Sequence, residues 1–182
     1  MEGLVLFNKP KGYTSNQIVE YFKKITNKKV GHGGTLDPLA SGLLILGIGE
    51  FTKELSNFLK NSKKTYIAEI KLGYVSDTYD KEGKILATNK LIPNIDEIKK
   101  ILENFKGVIR QKPPIFSAIK IKGKPAYKLA RKGIKVEISE KEVEVYNIEI
   151  LNYDENNKIL KLKLEVSSGF YVRSFANDLG EK

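Results

Sequence analysis

The sequence predicts one α+β domain built on a mixed, mostly antiparallel central sheet flanked by helices and loops. Three observations carry that reading. Two alternating stretches, "EVEVYNIEILNY" and "KILKLKLEVS", flank the turn-forming "DENN" and read as a hairpin. Other segments carry apolar residues at helical spacing behind capping residues. No internal repeat, low-complexity tract or linker interrupts the 182 residues, a length that buries a core without staples.

From the start, "GLVLFNKP" reads as a short strand stopped by Pro10. Thr14 or Ser15 then caps a helix whose Ile18, Val19, Phe22 and Ile25 share one face. Gly31 to Gly42 is too rich in glycine for a long regular element. "LLILGI" (Leu43 to Ile48) is a continuous apolar run and suits a buried central strand. A short amphipathic helix with Leu55, Phe58 and Leu59 follows. "TYIAEIKL" alternates as a strand does. Asn94 and Glu97 have capping-box spacing and open a helix with Ile95, Ile98, Leu102 and Phe105 inward, stopped by Gly107. "FSAIKIKG" alternates again, and Pro125 suits the first turn of a short helix, "PAYKLARK", ended by Gly133. After the hairpin, "YVRSFANDLGEK" begins a last amphipathic helix.

Composition narrows the function classes. With no cysteine the chain has no disulfide framework and no thiol catalysis, which fits a reducing compartment. One histidine and no cysteine argue against a structural zinc site. No run approaches 18 apolar residues, and "MEGLVLFNKP" lacks a signal-like apolar core, so the expected location is cytoplasmic, with no membrane association. The net charge of +10 favours polyanions, nucleic acid above all, although many small basic proteins bind none. Arginine occurs only at Arg110, Arg131 and Arg173; the other 29 basic residues are Lys. Lys supplies a diffuse field, whereas Arg supplies planar, bidentate geometry, so each Arg poses its own question.

"GGTLDPLASG" (Gly33 to Gly42) holds one carboxylate, Asp37, directly before a proline. Pro38 pushes Asp37 toward extended backbone, and the glycines allow tight turns. Two readings stay open for this decapeptide: Asp37 caps a short helix begun by Pro38, or it is a nucleophile on a stiff loop. His32, in "GHGG", has too polar a setting for a core histidine and no second ligand for a metal. Tyr66 begins a strand and Tyr171 a helix, positions from which an aromatic can stack on a base. Arg173, two residues past Tyr171, is placed to pair with Asp37 across the fold and keep it ionised, or else to pair with Asp178 at the surface.

Together these residues resemble the tRNA pseudouridine synthases of the TruB type. The stretches that match are "LFNKPKGYTS", "VGHGGTLDPLASGLLILGIGEFTK", "KKTYIAEIKLG", "SDTYDKEGKI", "QKPPIFSAIKIKGKPAYKLARKG" and "SSGFYVRSFANDLGEK". They follow the family's order across nearly the whole chain, and "DPLASG" is similar to the bacterial branch, which acts without protein partners. The resemblance implies a pseudouridine synthase fold and isomerisation of uridine, usually at position 55 in the T loop of tRNA, by a monomer that needs no cofactor and no metal. It makes Asp37 the nucleophile toward ribose or base. Tyr66 is then the ring stacked beneath the flipped base and placed for proton handling. His32 fills the space the extruded nucleotide leaves, and Tyr171 is a further pocket residue. Lys9 and Pro10 belong to a motif that supports the floor of the site, and Arg173 is the cation that keeps the nucleophile charged.

Two departures from the family pattern stand out. Gly33 replaces a more usual Thr or Ser, which would loosen the loop, and Phe116 replaces the usual Tyr of the "PP-x-Y-S-A" pattern. The resemblance further implies that residues 1–182 are a catalytic domain incomplete at its C-terminal end, without the rest of the pocket wall and without an RNA-binding PUA-type domain. Two rival readings are a truncated, weakly active or inactive member that binds structured RNA, and a ribosome-associated structural protein. The second explains the charge but not the set Asp37, Tyr66 and Arg173.

Overall fold

A computed structural model describes residues 2–60, 62–121, 123–130, 132–134 and 137–182. Arg131, one of the three arginines, lies outside the described residues. The chain divides into two compact units, Met1–Ser62 and Lys63–Lys182. Among the described residues every strand ladder is antiparallel.

The first unit is a three-stranded sheet with a helix on its buried face. It comprises β1 (Gly3–Lys9), α1 (Ser15–Thr26), β2 (Val30–His32), β3 (Gly42–Ile48) and α2 (Phe51–Leu59). The apolar run does become the central strand, in the order β1-β3-β2. Thr14, not Ser15, is the cap of α1: its hydroxyl accepts from Gln17 N at 3.1 Å while the Gln17 side chain accepts from Thr14 N at 2.8 Å. Ile18, Val19 and Phe22 pack on Val30, Leu44, Leu46 and Ile48, but Ile25 is 58% exposed, so the buried stripe ends at Phe22. In α2, Leu55 is buried and Phe58 is exposed. That helix lies close on β3 because Gly47 has no side chain; a Cβ there would stand 2.6 Å from the Phe51 carbonyl oxygen.

The second unit contains β4 (Lys64–Lys71), β5 (Tyr74–Ser76), β6 (Ile85–Ala87), α3 (Ile95–Glu103) and β7 (Gly107–Gln111). It continues with β8 (Lys120–Ile121), β9 (Lys124–Pro125), α4 (Ala126–Ala130), β10 (Lys141–Asp154), β11 (Ile159–Val166) and α5 (Val172–Glu181). Its main sheet runs β4-β11-β10-β7, with β5-β6 and β8-β9 as separate hairpins. The predicted hairpin is β10 and β11. Along β11 the alternation places Leu160, Leu162, Leu164 and Val166 wholly inside, where each Leu contributes about 1.5–3 kcal/mol. The long β10 shifts register between Val145 and Asn147 and again between Ile150 and Asn152, so two bulges bend it along its partner. The Asn94–Glu97 capping box forms as expected, with bonds of 3.0 and 2.9 Å. Among the described residues of "FSAIKIKG" Lys120–Ile121 form strand, and the short helix starts after Pro125, which β9 takes as its last residue.

Candidate active site

In the first unit, Asp37 is half-buried on a loop fastened at three points, Leu36, Pro38 and Ala40. Before it, Leu36 exchanges two bonds with Ser15: its N donates to the hydroxyl at 2.9 Å and its carbonyl accepts from that hydroxyl at 3.1 Å. After it, the Pro38 carbonyl accepts from Gly12 N at 2.8 Å, and Ala40 N closes a turn onto the Asp37 carbonyl at 3.0 Å. Lys9 makes the third fastening. Its ammonium donates to the carbonyls of Pro10 (3.0 Å), Tyr13 (2.7 Å) and Ala40 (2.7 Å), and the residue is 0% exposed.

These bonds decide the first of the two readings. No helix follows Pro38; Asp37 opens a turn instead. The strand β3 already begins at Gly42, paired with Lys9, so only four residues remain after Asp37, and the Gly12 and Lys9 bonds hold them in the turn. Burial pushes the Lys9 ammonium below its usual value, and the Asp37 carboxylate pulls it partly back, so the buried cation and the half-buried anion stabilise each other.

His32 ends β2, five residues before Asp37. Burial lowers its pKa from the usual 6.5, with the Gly34 backbone offsetting part of the shift. The ring is therefore neutral at pH 7, and its Nδ1 is buried without a hydrogen-bond partner. Gly33 does not loosen the loop. Its N donates to the Ile45 carbonyl at 2.8 Å, and a Cβ would meet Leu59 Cδ1 at 1.8 Å, so the missing side chain is space that α2 has filled.

In the second unit, Tyr66 sits on the edge strand β4 opposite Leu164 and packs partly against the core. Tyr171 precedes α5, and no side chain caps that helix. Gln111, 1% exposed, holds Tyr171 from both sides: its Oε1 accepts from Tyr171 N at 2.7 Å and its Nε2 donates to the Tyr171 carbonyl at 3.0 Å. Ser174 donates to the Lys112 carbonyl at 2.6 Å, so the start of α5 is docked on the end of β7.

That docking aims Arg173. Its two terminal nitrogens donate to the carbonyls of Thr78 (3.1 Å) and Phe116 (3.0 Å), and Nη1 stands 3.5 Å from Asp80 Oδ2. Both side chains of this ion pair are nearly buried, 13% and 10% exposed. Phe116 acts here through its backbone, which makes its departure from Tyr less consequential. Asp80 is itself held: its Oδ1 accepts from the Thr78 hydroxyl at 2.6 Å and from Glu82 N at 2.9 Å. Between Thr78 and Asp80, Tyr79 adopts left-handed backbone at φ 62°, a conformation a bulky residue holds only where its surroundings enforce it. Gly83 closes the loop, since a Cβ there would stand 2.2 Å from Asp77 Oδ1.

Asp80, Gln111 and Ser15 are site-building residues that sequence reasoning missed. The signal for Asp80 lay in "SDTYDKEG", whose density of Asp, Ser, Thr and Gly marks a structured turn. Gln111 and Ser15 gave no local signal, because their partners are 60 and 21 residues away. Among the described residues no three His, Cys, Asp or Glu side chains are grouped to hold a metal, and no helix is long and apolar enough to cross a membrane.

The first unit holds a fastened carboxylate beside a buried cation and the second a clamped, nearly buried arginine, which puts the chain in the class of α+β proteins with preorganised polar side chains. Comparison with known proteins gives the class its family. Residues 23–172 match the N-terminal domain of TruB family pseudouridylate synthases, and the chain belongs to that family. Over its whole length it is 47% identical to tRNA pseudouridine synthase B of Aquifex aeolicus and 46% identical to that of Ureaplasma urealyticum, spanning 63% and 80% of those proteins. Its fold superposes on a chain of a Cbf5–Nop10–Gar1 complex with a TM-score of 0.71 at 29% identity, covering 98% of this chain and 44% of the other. A chain of an H/ACA ribonucleoprotein bound to a substrate RNA containing 2′-deoxyuridine gives a TM-score of 0.68 at 26% identity, covering 98% and 42%. The fold is the α+β fold of the pseudouridine synthases.

Proposed function

We propose that this chain isomerises uridine to pseudouridine in tRNA, acting on position 55 of the T loop. The C1′–N1 bond breaks, the uracil turns while held, C1′ joins C5, N1 gains a proton and the C5 proton is lost. Atoms balance without oxidant, phosphoryl donor or cofactor. Asp37 is the nucleophile, Tyr66 stacks on the base and handles the proton, and Arg173 supplies the cation of the set. His32 and Tyr171 contact the flipped nucleotide, while Lys9 and Pro10 support the floor. The two compact units act as one catalytic domain, a reading supported by the family match running through residue 62 without a break. No protein partner is needed, and the enzyme works as a cytoplasmic monomer.

The observation that carries this reading is the fastening of the Asp37 loop at Leu36, Pro38 and Ala40, beside the Lys9 charge. A capping or surface carboxylate needs no such support, whereas a nucleophile gains from being held in place. The neutral His32 suits a site that receives an uncharged base. The charge of +10 supplies affinity for phosphates, and a loop substrate lowers the unstacking cost of flipping.

The test compares Asp37→Ala and Asp37→Asn with the parent on a T stem-loop RNA, by tritium release from C5-labelled uridine and by binding. Turnover should vanish in both variants while affinity stays within about threefold, since affinity comes from dispersed phosphate contacts. Near-parent turnover in either variant refutes the assignment. A parent that binds RNA yet releases no tritium points to the RNA-binding, inactive member instead.

A further inference from the structure

The second unit contains a cavity that none of the proposed catalytic residues lines. It has a volume of about 300 Å³, and its walls include Lys71, Tyr74, Lys90, Asn156, Asn157 and Lys158. Lys71 ends β4 and Tyr66 lies five residues earlier, so the cavity opens at the other end of that strand, about 17 Å away at 3.4 Å per residue.

Three chain segments that are far apart in sequence form it, and hydrogen bonds fix them together. Leu72 N donates to the Lys158 carbonyl at 2.9 Å, which ties the end of β4 to the β10–β11 turn. Thr88 N donates to the Gly73 carbonyl at 2.8 Å, which ties in the β5–β6 hairpin. The Lys71 ammonium donates to the Asn157 carbonyl. Gly73, at φ +84°, leaves room for Ile92, whose Cδ1 would lie 3.1 Å from any Cβ added there.

The lining is cationic and contains no carboxylate. The nearby Asp154 is occupied in the turn, where its two oxygens accept from Asn157 N (2.9 Å) and Nδ2 (2.8 Å). An aromatic ring stands among the lysines: Tyr74 is 48% exposed, and the Lys71 ammonium lies 5.7 Å from its ring centroid. Such a cavity offers cations for a phosphate, side-chain amides for polar edges and an exposed ring face for a base. That combination suits single-stranded RNA, in which a backbone is tracked by charge and an unstacked base rests on an aromatic. Surface lysines without the ring would fit any polyanion; the exposed ring beside them in one open pocket narrows the ligand class.

We infer that this cavity is a second RNA subsite that receives an unpaired nucleotide of the substrate RNA, its phosphate on Lys90 and Lys158 and its base on Tyr74. The inference rests on the reading of this chain as an RNA-modifying enzyme but not on any residue given a role in the reaction. It assigns the β5–β6 hairpin and the β10–β11 turn to substrate binding.

The test uses the full chain, a tRNA transcript and heparin, with fluorescence anisotropy between 50 and 200 mM salt and tritium release in parallel. One variant combines Lys90→Gln with Lys158→Asn, since Asn tolerates the left-handed backbone at residue 158 (φ 55°). The other is Tyr74→Leu. Melting curves confirm that both fold as the parent does. Losing two phosphate contacts should lower the salt slope by about 1.4, so the parent loses about sevenfold more affinity than the double variant across that salt range. Tyr74→Leu should weaken tRNA binding about fivefold or more and leave heparin binding unchanged. Turnover at saturating tRNA should match the parent in both. Unchanged slope and affinity overturn the subsite, as does a Tyr74→Leu effect of equal size on heparin. A parent that releases no tritium defeats the proposed function, while the anisotropy series still decides the subsite; a parent that binds no tRNA defeats both.

Discussion

Replacing Lys9 by Met tests whether a buried cation holds the Asp37 loop. The substitution keeps the length and most of the apolar stem but removes all three donors. The carbonyls of Pro10, Tyr13 and Ala40, now bonded at 3.0, 2.7 and 2.7 Å, would each lose a charged partner. Leaving a buried acceptor unmet costs about 1–3 kcal/mol. The contacts sit partly buried at the loop, so water meets some of that demand, and the variant also sheds the cost of burying a cation. A net loss of about 3 kcal/mol follows, or about 6–12 °C in Tm for a chain of this size. The assay is a thermal melt of parent, Lys9→Met and Lys9→Arg, with turnover measured well below each Tm. Lys9→Met should lose turnover even where it remains folded, because the Ala40 end of the loop is released and Asp37 loses its neighbouring positive charge. Lys9→Arg should fall between the two, since a planar fork keeps the charge but cannot converge on three carbonyls. A Lys9→Met protein melting within about 1 °C of the parent with parental turnover would refute the reasoning.

Arg173→Lys should cut turnover by about tenfold or more, because one ammonium cannot span the Thr78 and Phe116 carbonyls and also face Asp80; activity within about twofold of the parent overturns this. Asp80→Asn should give a smaller loss in the same direction, with RNA affinity unchanged. His32 titrates below 6.5 in the folded protein, so the unfolded chain takes up its proton first as pH falls, and stability declines through the window below 6.5. In urea unfolding, His32→Gln should therefore lose less stability than the parent between about pH 7.5 and 5.5; equal losses would discount the buried ring. RNA binding should weaken steeply with salt and favour a folded T stem-loop over an unstructured strand of equal length, and affinity independent of salt would exclude phosphate-dominated binding.

What could be read from the sequence is what depends on near neighbours. Alternation placed β10 and β11, because a strand repeats every two residues and Leu160, Leu162 and Leu164 had to face one side. Asn94 with Glu97 fixed the start of α3, since both capping bonds join residues three apart. The apolar run of β3 announced a central strand, and motifs of family specificity pointed to Asp37, Tyr66 and Arg173. Where local rules were ambiguous they left the ambiguity visible, as with Thr14 against Ser15 and a cap against a loop at Asp37.

Tertiary structure resolved those cases through bonds no local rule contains. Ser15 could not be distinguished as a cap because its partner, Leu36, is 21 residues away. The turn at Asp37 stands where a helix could have begun because Gly42 already pairs with Lys9 in the sheet, and Gly12 and Lys9 hold the four residues between. Lys9, in sequence one lysine among many, is a buried clamp because three carbonyls from two loops converge on it. Asp80 became a partner of Arg173 across 93 positions through a loop in which Tyr79 is left-handed and Gly83 leaves room for the Asp77 and Thr78 side chains. The sequence by itself determined most of the elements, the family and the candidate side chains, since periodicity and motif are properties of adjacent residues. Only the tertiary structure decided which of those side chains are held and by what, because a hydrogen bond between distant residues exists only once the chain has folded.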